Sequence, residues 1–403
     1  RLWPRSATAT GEGRIGQDGG VSGRTLVITN DFPPRPGGIQ SFVHGLIVRQ
    51  PADSIVVFAP TWGGDDQFDE QQPFPVIRYP RSLMLPTPGV RKWAQQLVRS
   101  QNCDRVLFGA TAPLGLMSKG LRGAGAEHIV GITHGHEAAW SITPGGRSAM
   151  RRIGANTDTI TFLGEYTRER IGAAIGPAAA ARMRRLVPGV EADTFSPANS
   201  ADGQVLRERY GLADRKVIVC VSRLMPRKGQ DTLIHALPQI RQRVPEAALL
   251  IVGGGPYRGK LQSMIDKTHQ NADIVMTGSV PFSELPAHYA AGDVFSMPCR
   301  TRNRGLDVEG LGIVYLEASA TGIPVVAGES GGAPDAVIPG ETGFVVPGGS
   351  PAAAAARITE ILLDPALAQK MGSAGRQWVE STWSWPLIAA RLTRLLDGVD
   401  PDL

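Results

Sequence analysis

The chain has 403 residues, 42 Lys and Arg against 37 Asp and Glu for a formal charge of +5, 42% apolar residues, 49 Gly, 31 Pro and 3 Cys. That length fits two or three domains, each able to bury a full core, and the composition excludes collagen, coiled coil and wholesale disorder. Cys103, Cys220 and Cys299 form no C-x-x-C and cannot all pair, which excludes a disulfide framework and a zinc ribbon and points to a reducing compartment. No apolar stretch approaches the roughly 18–20 residues of a membrane-spanning helix.

The charge is unevenly spread. Residues 1–195 carry 22 Lys and Arg against 16 Asp and Glu, whereas residues 196–403 carry 20 against 21, so the surplus lies in the N-terminal half. Arg outnumbers Lys 35 to 7 beside abundant Ala, a bias that fits a GC-rich genome better than selection for phosphate contacts, and no nucleic-acid partner is expected.

Residues 1–22 have neither strand nor helix periodicity and no signal-peptide core, and read as a disordered or appended tail. From Gly23 the pattern changes. TLVITN (25–30), SIVVFAP (54–60), RVLFGA (105–110), HIVGITH (128–134) and TITFLG (159–164) are short aliphatic runs that end in small or polar residues, spaced by helix-length intervals. Continuous apolar strands at that spacing predict a parallel sheet covered on both faces. The pattern pauses over 187–203 and restarts with KVIVCVS (216–222), ALLIVGG (248–254), DIVMTG (273–278), DVFSMP (293–298), IPVVAGE (323–329) and GFVVPG (343–348). Two consecutive arrays of this kind predict an α/β chain of two doubly wound domains with a hinge near 190–200. The expected division is a tail at 1–22, domains at 23–195 and 196–382, and a C-terminal helix at 383–403 that packs back on the first domain.

Several familiar motifs fail on inspection. Gly11-Glu-Gly13-Arg-Ile-Gly16 has no strand before it, and Gly254–Lys260 resembles a P-loop but Leu261 replaces the hydroxyl that would hold magnesium. His136-Glu137 opens a zinc motif whose second histidine is replaced by Trp140. Gly328-Glu-Ser330-Gly-Gly332 fits a nucleophile elbow, yet all seven histidines lie upstream of it, so the usual Ser…Asp…His chain order is impossible.

Four loops remain, each after a predicted strand, where doubly wound sheets bind ligands. Asp31–Ile39 ends in Gly37-Gly38 at a helix start, a place suited to a diphosphate. Thr133-His134-Gly135-His136-Glu137 concentrates titratable groups. Ser222-Arg223-Leu-Met-Pro-Arg227-Lys228-Gly229 sets cations at a strand's carboxyl end, where they can stabilise a departing diphosphate. Asp307-Val-Glu309-Gly310-Leu311-Gly312-Ile313-Val-Tyr-Leu-Glu317 spells E-x7-E around paired glycines, with Glu309 before a helix and Glu317 inside it. An NAD-dependent oxidoreductase lacks a properly placed G-x-G-x-x-G.

In this order the motifs resemble the retaining GT-B glycosyltransferases of the GT4 type over nearly all of the chain from residue 23. TNDFPPRPGGIQ, THGHE, SRLMPRKGQDTLI, PCRTR and LDVEGLGIVYLEA are similar to the GDP-mannose-dependent phosphatidylinositol mannosyltransferases of actinobacteria. The resemblance implies two Rossmann-like domains facing a central cleft and transfer of an α-1,6-linked mannose from GDP-mannose to phosphatidylinositol monomannoside. The alternatives are a transferase with another donor, such as a UDP-sugar, or a polyprenol-linked or soluble acceptor, and a non-catalytic sugar-nucleotide-binding protein, against which Glu309, Arg223, Lys228 and His134 together speak. The resemblance also implies that Gly37 and Gly38 face the diphosphate, that Arg223 and Lys228 neutralise the leaving GDP, and that Gly310, Leu311, Gly312 and Ile313 offer backbone amides. By the same resemblance Glu309 contacts the mannose, Glu317 the ribose, His134 the anomeric centre, and Val280 the guanine. Asp335 stands where the family often has Glu. No metal or other cofactor is expected. The implied location is the cytoplasmic face of the plasma membrane, with the basic N-terminal half toward its anionic surface. Gly38–Arg49, Arg91–Arg99 and the Arg147, Arg151, Arg152 group are the candidate contacts.

Overall fold

The computed structural model describes residues 23–400 apart from 136, 138, 139, 141, 142 and 144. The N-terminal tail and His136 lie outside the described residues.

Among the described residues the first sheet is formed by β1 (Arg24–Ile28), β2 (Ile55–Pro60), β3 (Val76–Tyr79), β4 (Cys103–Phe108), β5 (His128–Gly131), β6 (Thr159–Phe162) and β7 (Arg184–Arg185). The second holds β8 (Lys216–Val221), β9 (Ala247–Val252), β10 (Ile274–Gly278), β11 (Val294–Met297), β12 (Val325–Gly328) and β13 (Gly343–Val346). Their spatial orders are β3-β2-β1-β4-β5-β6-β7 and β10-β9-β8-β11-β12-β13, with every pairing parallel. Every residue of β2 and of β9 is buried, because helices cover both faces of a parallel sheet.

This order fixes where chemistry can occur. Strand order reverses between β1 and β4 in the first sheet and between β8 and β11 in the second, and the loops leaving those strands diverge to open a crevice. The loops after β1 and β4, and those after β8 and β11, therefore lie at the two switch points. They include Asp31–Gly38, Ser222–Gly229 and the Asp307–Gly312 segment.

The chain leaves the first sheet after Arg185 and returns near Trp383, and the two crossings pair: the Val190 N–H donates to the Trp383 carbonyl at 2.8 Å. The last helix, Trp385–Leu396, then lies on the first domain. Trp385 packs over Gly45 and Gly189, where an added Cβ would come within 2.5 Å of the ring at either position. Gln50 donates to the Ala389 carbonyl at 3.2 Å and accepts from Thr393 at 2.8 Å. Beyond the helix, Arg105–Asp397 and Arg184–Asp400, both 2.5 Å, fasten the chain end to the same domain.

One expected lipid-facing surface does not survive. The helix Gly38–Ile47 buries Gln40, Phe42, Val43, Gly45, Leu46 and Ile47, and Arg49 beyond it is paired with Glu191 at 2.5 Å and stacked on Trp385 at 4.4 Å. Its apolar residues serve the interior rather than a bilayer.

Candidate active site

Glu309 sits among the cations of the loop that follows β8. Its side chain is 8% exposed and lies 2.7 Å from Lys228 Nζ, itself 12% exposed, although the pair does not have good hydrogen-bond angles at Glu309 Oε2. Arg227 Nε adds positive charge at 3.7 Å and its Nη1 reaches Asp307 at 3.5 Å. Neighbouring strands explain the pairing: Lys228 follows β8 and Glu309 follows β11, which are adjacent in the sheet.

The Glu309 backbone is held as firmly as its side chain. Its N–H donates to Ser330 Oγ at 3.3 Å, and its carbonyl accepts from the Gly332 N–H at 3.0 Å. Gly331 has φ +55°, and a Cβ there would lie 2.0 Å from the Glu309 carbonyl oxygen, so the Ser330-Gly331-Gly332 turn admits only glycine at that point. Gly312, with φ +81°, caps the helix Ile313–Thr321, whose first residue, Ile313, lines the cavity that also holds Glu317. Leu311 is buried, so its side chain packs in the interior.

Across the cleft, His134 Nε2 lies 2.6 Å from the Gly109 carbonyl. A carbonyl only accepts, so Nε2 carries the proton. The His134 N–H donates to the buried Glu137 at 2.9 Å, and the ring meets the Phe42 edge at 5.7 Å between centroids. The His134 loop and the Glu309 loop touch: a Cβ built on Gly310 would be 3.2 Å from the His134 carbonyl oxygen.

Two cavities gather the other candidate residues. One, of about 540 Å³, is lined by Arg223, Val280, Ser222, Ser279, Leu285 and Gly253–Gly255. Arg223 is exposed and forms no ion pair among the described residues. The other, of about 620 Å³, brings Gly38, Ile313 and Glu317 together with Phe195, Phe282 and Trp385. Gly37 and Gly38 open the helix Gly38–Ile47 and are exposed. The sequence-predicted residues thus gather as a Lys228–Glu309 pair whose loop touches the His134 loop, a Gly38–Glu317 cavity and an Arg223–Val280 cavity.

Tyr289 gave no sequence signal. It is fully buried and donates its hydroxyl to Glu317 Oε2 at 2.5 Å, which fixes the carboxylate's orientation. Burial pushes the Glu317 carboxyl up to about 7, against the opposing effect of the Tyr289 hydrogen bond. A raised carboxyl favours the protonated fold: its contribution to the unliganded protein's stability is complete below the ordinary value of 4.5 and is lost as pH rises through about 7. For the ribose contact that the sequence resemblance implies at Glu317, the ionised carboxylate is the stronger acceptor, so the donor KM should rise as pH falls below about 7. A pH series of initial rates checks this, and Glu317→Gln should flatten that limb.

Residues 204–378 match the family described as glycosyl transferases group 1. The fold resembles the crystal structure of Anabaena HepE in complex with UDP, with a TM-score of 0.77 at 21% identity, covering 93% of this chain and all of the other. The architecture is that of a GT-B glycosyltransferase. The chain is 51% identical over 379 residues to the GDP-mannose-dependent α-(1-6)-phosphatidylinositol monomannoside mannosyltransferase of Mycolicibacterium smegmatis, covering 93% of this chain and 98% of the relative. It is 49% identical to the enzyme so named in Mycobacterium tuberculosis, and 45% to a form from Corynebacterium glutamicum named for the monoacylated acceptor; each match covers 94% of this chain and 99% of the relative. The chain belongs to this family of GDP-mannose-dependent mannosyltransferases within the group 1 glycosyltransferases.

Proposed function

We propose that this protein transfers mannose from GDP-mannose to phosphatidylinositol monomannoside, forming an α-(1→6) link, as the names of its relatives describe for them. The observation that carries the reading is the buried Lys228–Glu309 pair, whose loop touches the His134 loop through Gly310, while Arg223 and Val280 line one cavity and Gly38 and Glu317 another. One cavity accommodates the guanine beside Val280. The ribose hydroxyls reach Glu317, and the diphosphate meets Arg223, Lys228 and the N–H groups at the starts of the helices Gly38–Ile47 and Ile313–Thr321.

Donor and product both carry α-linked mannose, so the anomeric configuration is retained. Retaining glycosidases achieve this with a carboxylate nucleophile and a second carboxylic acid. Here Glu309 is buried and bound to a cation, which suits it to hold the mannose rather than to attack C1. The reaction is a same-face displacement. The C1–O bond to the diphosphate breaks as the bond from C1 to the acceptor's 6-oxygen forms, and the acceptor proton passes to the departing phosphate oxygen. Arg223 and Lys228 take up the charge that develops on GDP. The His134 carbonyl and ring border the mannose.

No metal ion enters this scheme. Turnover should persist in EDTA; loss of activity that magnesium restores would contradict it.

The acceptor is a lipid, and the N-terminal domain offers a surface for it. No helix among the described residues is long and apolar enough to cross a membrane. Trp62, Leu83 and Leu85 are 41%, 51% and 49% exposed on the loops after β2 and β3, and Arg91, Lys92 and Arg99 project from the helix Pro88–Ser100 that follows. We infer that this basic, apolar-tipped face docks on the anionic cytoplasmic leaflet, where each well-placed cation gains roughly 1 kcal/mol. The protein should sediment with vesicles containing acidic phospholipid at low salt, and a Trp62→Ala, Leu83→Ala, Leu85→Ala variant should sediment less. A wild-type protein left in the supernatant would remove this part of the reading.

Incubating GDP- and UDP-sugars with phosphatidylinositol and with its monomannoside, and identifying products by mass, tests the assignment. Product is expected only from GDP-mannose with the monomannoside, and transfer solely from UDP-sugars would overturn it.

A further inference from the structure

Asp335 belongs to the second domain, in the 3₁₀ turn Ala333–Ala336 just beyond β12, yet its surroundings are in the first. A Cβ added to Gly164 would come 2.0 Å from Asp335 Oδ2. Gly164 precedes the helix Glu165–Ile175, and the carboxylate faces the Glu165 backbone N–H while the Arg185 cation attracts it. Arg185 is steadied by stacking on Trp383 at 4.8 Å and by donating from Nε to the Leu163 carbonyl at 3.3 Å. Burial pushes the Asp335 carboxyl above its ordinary range and the Glu165 charge adds to the rise, while the Arg185 cation and the Glu165 N–H oppose it.

Two further contacts make the same helix a bridge to the catalytic loop. Thr167 organises its first turn by accepting the N–H groups of Leu163 and Gly164 at 3.2 and 3.1 Å. The Thr167 methyl lies 3.3 Å from a Cβ built on Gly135, which would itself be 3.6 Å from Gly310 Cα. On the other side, Asp335 continues the turn that holds Glu309: Ser330 accepts its N–H and Gly332 donates to its carbonyl.

We propose that Asp335 is an interdomain positioning residue: by docking on Gly164 and the Glu165 N–H it ties the approach of the two domains to the placement of Glu309. The inference rests on the transfer reaction proposed above. Asp335 touches neither donor nor acceptor in that scheme and acts through the Ser330–Gly332 turn. A similar outcome should follow from its partner, because Gly164 has φ −158°, a conformation open to any residue, so that Gly164→Ala displaces the carboxylate without straining the backbone.

The test uses the full chain. In Asp335→Ala and in Gly164→Ala, kcat should fall about ten- to a hundredfold, the range expected when a reacting group is displaced by about an ångström. The affinity for GDP, measured by calorimetry, should stay within about twofold, and Asp335→Glu should recover most of the rate. Spin labels placed at the exposed Arg99 and Glu360 should report a longer or broader interdomain distance in both alanine variants with GDP bound. Unchanged kcat and distance in both variants would overturn the inference, as would a parallel fall of kcat, GDP affinity and melting temperature, the pattern of a residue that only supports the fold. The distance measurement is independent of turnover, so it still decides the matter if the wild-type protein fails to transfer mannose.

Discussion

Truncating Arg223 to alanine should lower kcat by about two to three orders of magnitude while leaving the urea midpoint unchanged. Arg223 is exposed at the mouth of the Arg223–Val280 cavity, with its guanidinium in no ion pair among the described residues. Removing it therefore leaves no buried charge behind, and exposed substitutions of this kind usually shift stability by less than about 0.5 kcal/mol. Its value lies in the reaction: a fixed donor aimed at charge that develops on the leaving group typically contributes about 10²–10³ in rate. Arg223→Lys should recover only part of it, because a single ammonium cannot reproduce the fork that grips two phosphate oxygens. Steady-state rates with GDP-mannose and urea unfolding monitored by tryptophan fluorescence provide both readings. Equal activity would reject the leaving-group role.

Lys228→Ala should be costly in both measurements. Lys228 lies 2.7 Å from Glu309, and both side chains are largely buried, so the alanine variant strands a carboxylate whose nearest remaining cation is Arg227 Nε at 3.7 Å. Breaking one side of a buried pair costs about 3–5 kcal/mol, most of it the penalty of the unpaired charge. Turnover should fall at least as far as for Arg223→Ala, since the leaving diphosphate loses a cation and Glu309 loses its anchor. Adding Glu309→Gln to Lys228→Ala should restore much of the stability, because the stranded charge is gone, and none of the turnover. If the double variant were as unstable as the single one, the pair would not be the source of the loss.

The interior strands could be read from the sequence because they are buried on both faces and so form continuous aliphatic runs. TLVITN, SIVVFAP and KVIVCVS correspond to β1, β2 and β8 within a residue or two. β3 and β7 escaped, and both lie at sheet edges. Val76–Tyr79 is half-buried throughout, and Arg184–Arg185 is two charged residues, so neither forms an apolar run. The site divides in a similar way. The glycine and charge spacing of 222–229 and 307–317 marks ligand loops locally, whereas the Lys228–Glu309 pair depends on β8 and β11 being neighbours, a fact of topology. Tyr289 was invisible because its contact with Glu317 joins two elements 28 residues apart, and nothing in PAHYAAG distinguishes it from an ordinary core tyrosine. The helix Gly38–Ile47 misled for the opposite reason: its basic end and amphipathic pattern suited a membrane surface, but the last helix covers it.

Mannosyl transfer with retention of configuration at Glu309 and Lys228 is tested most directly by the stereochemistry of the product. GDP-mannose and phosphatidylinositol monomannoside should be incubated with the protein and the purified product examined by NMR for its anomeric coupling and its linkage position. The account predicts a single new α-linked mannose on the 6-oxygen; a β-linked product would require attack from the opposite face and would contradict it.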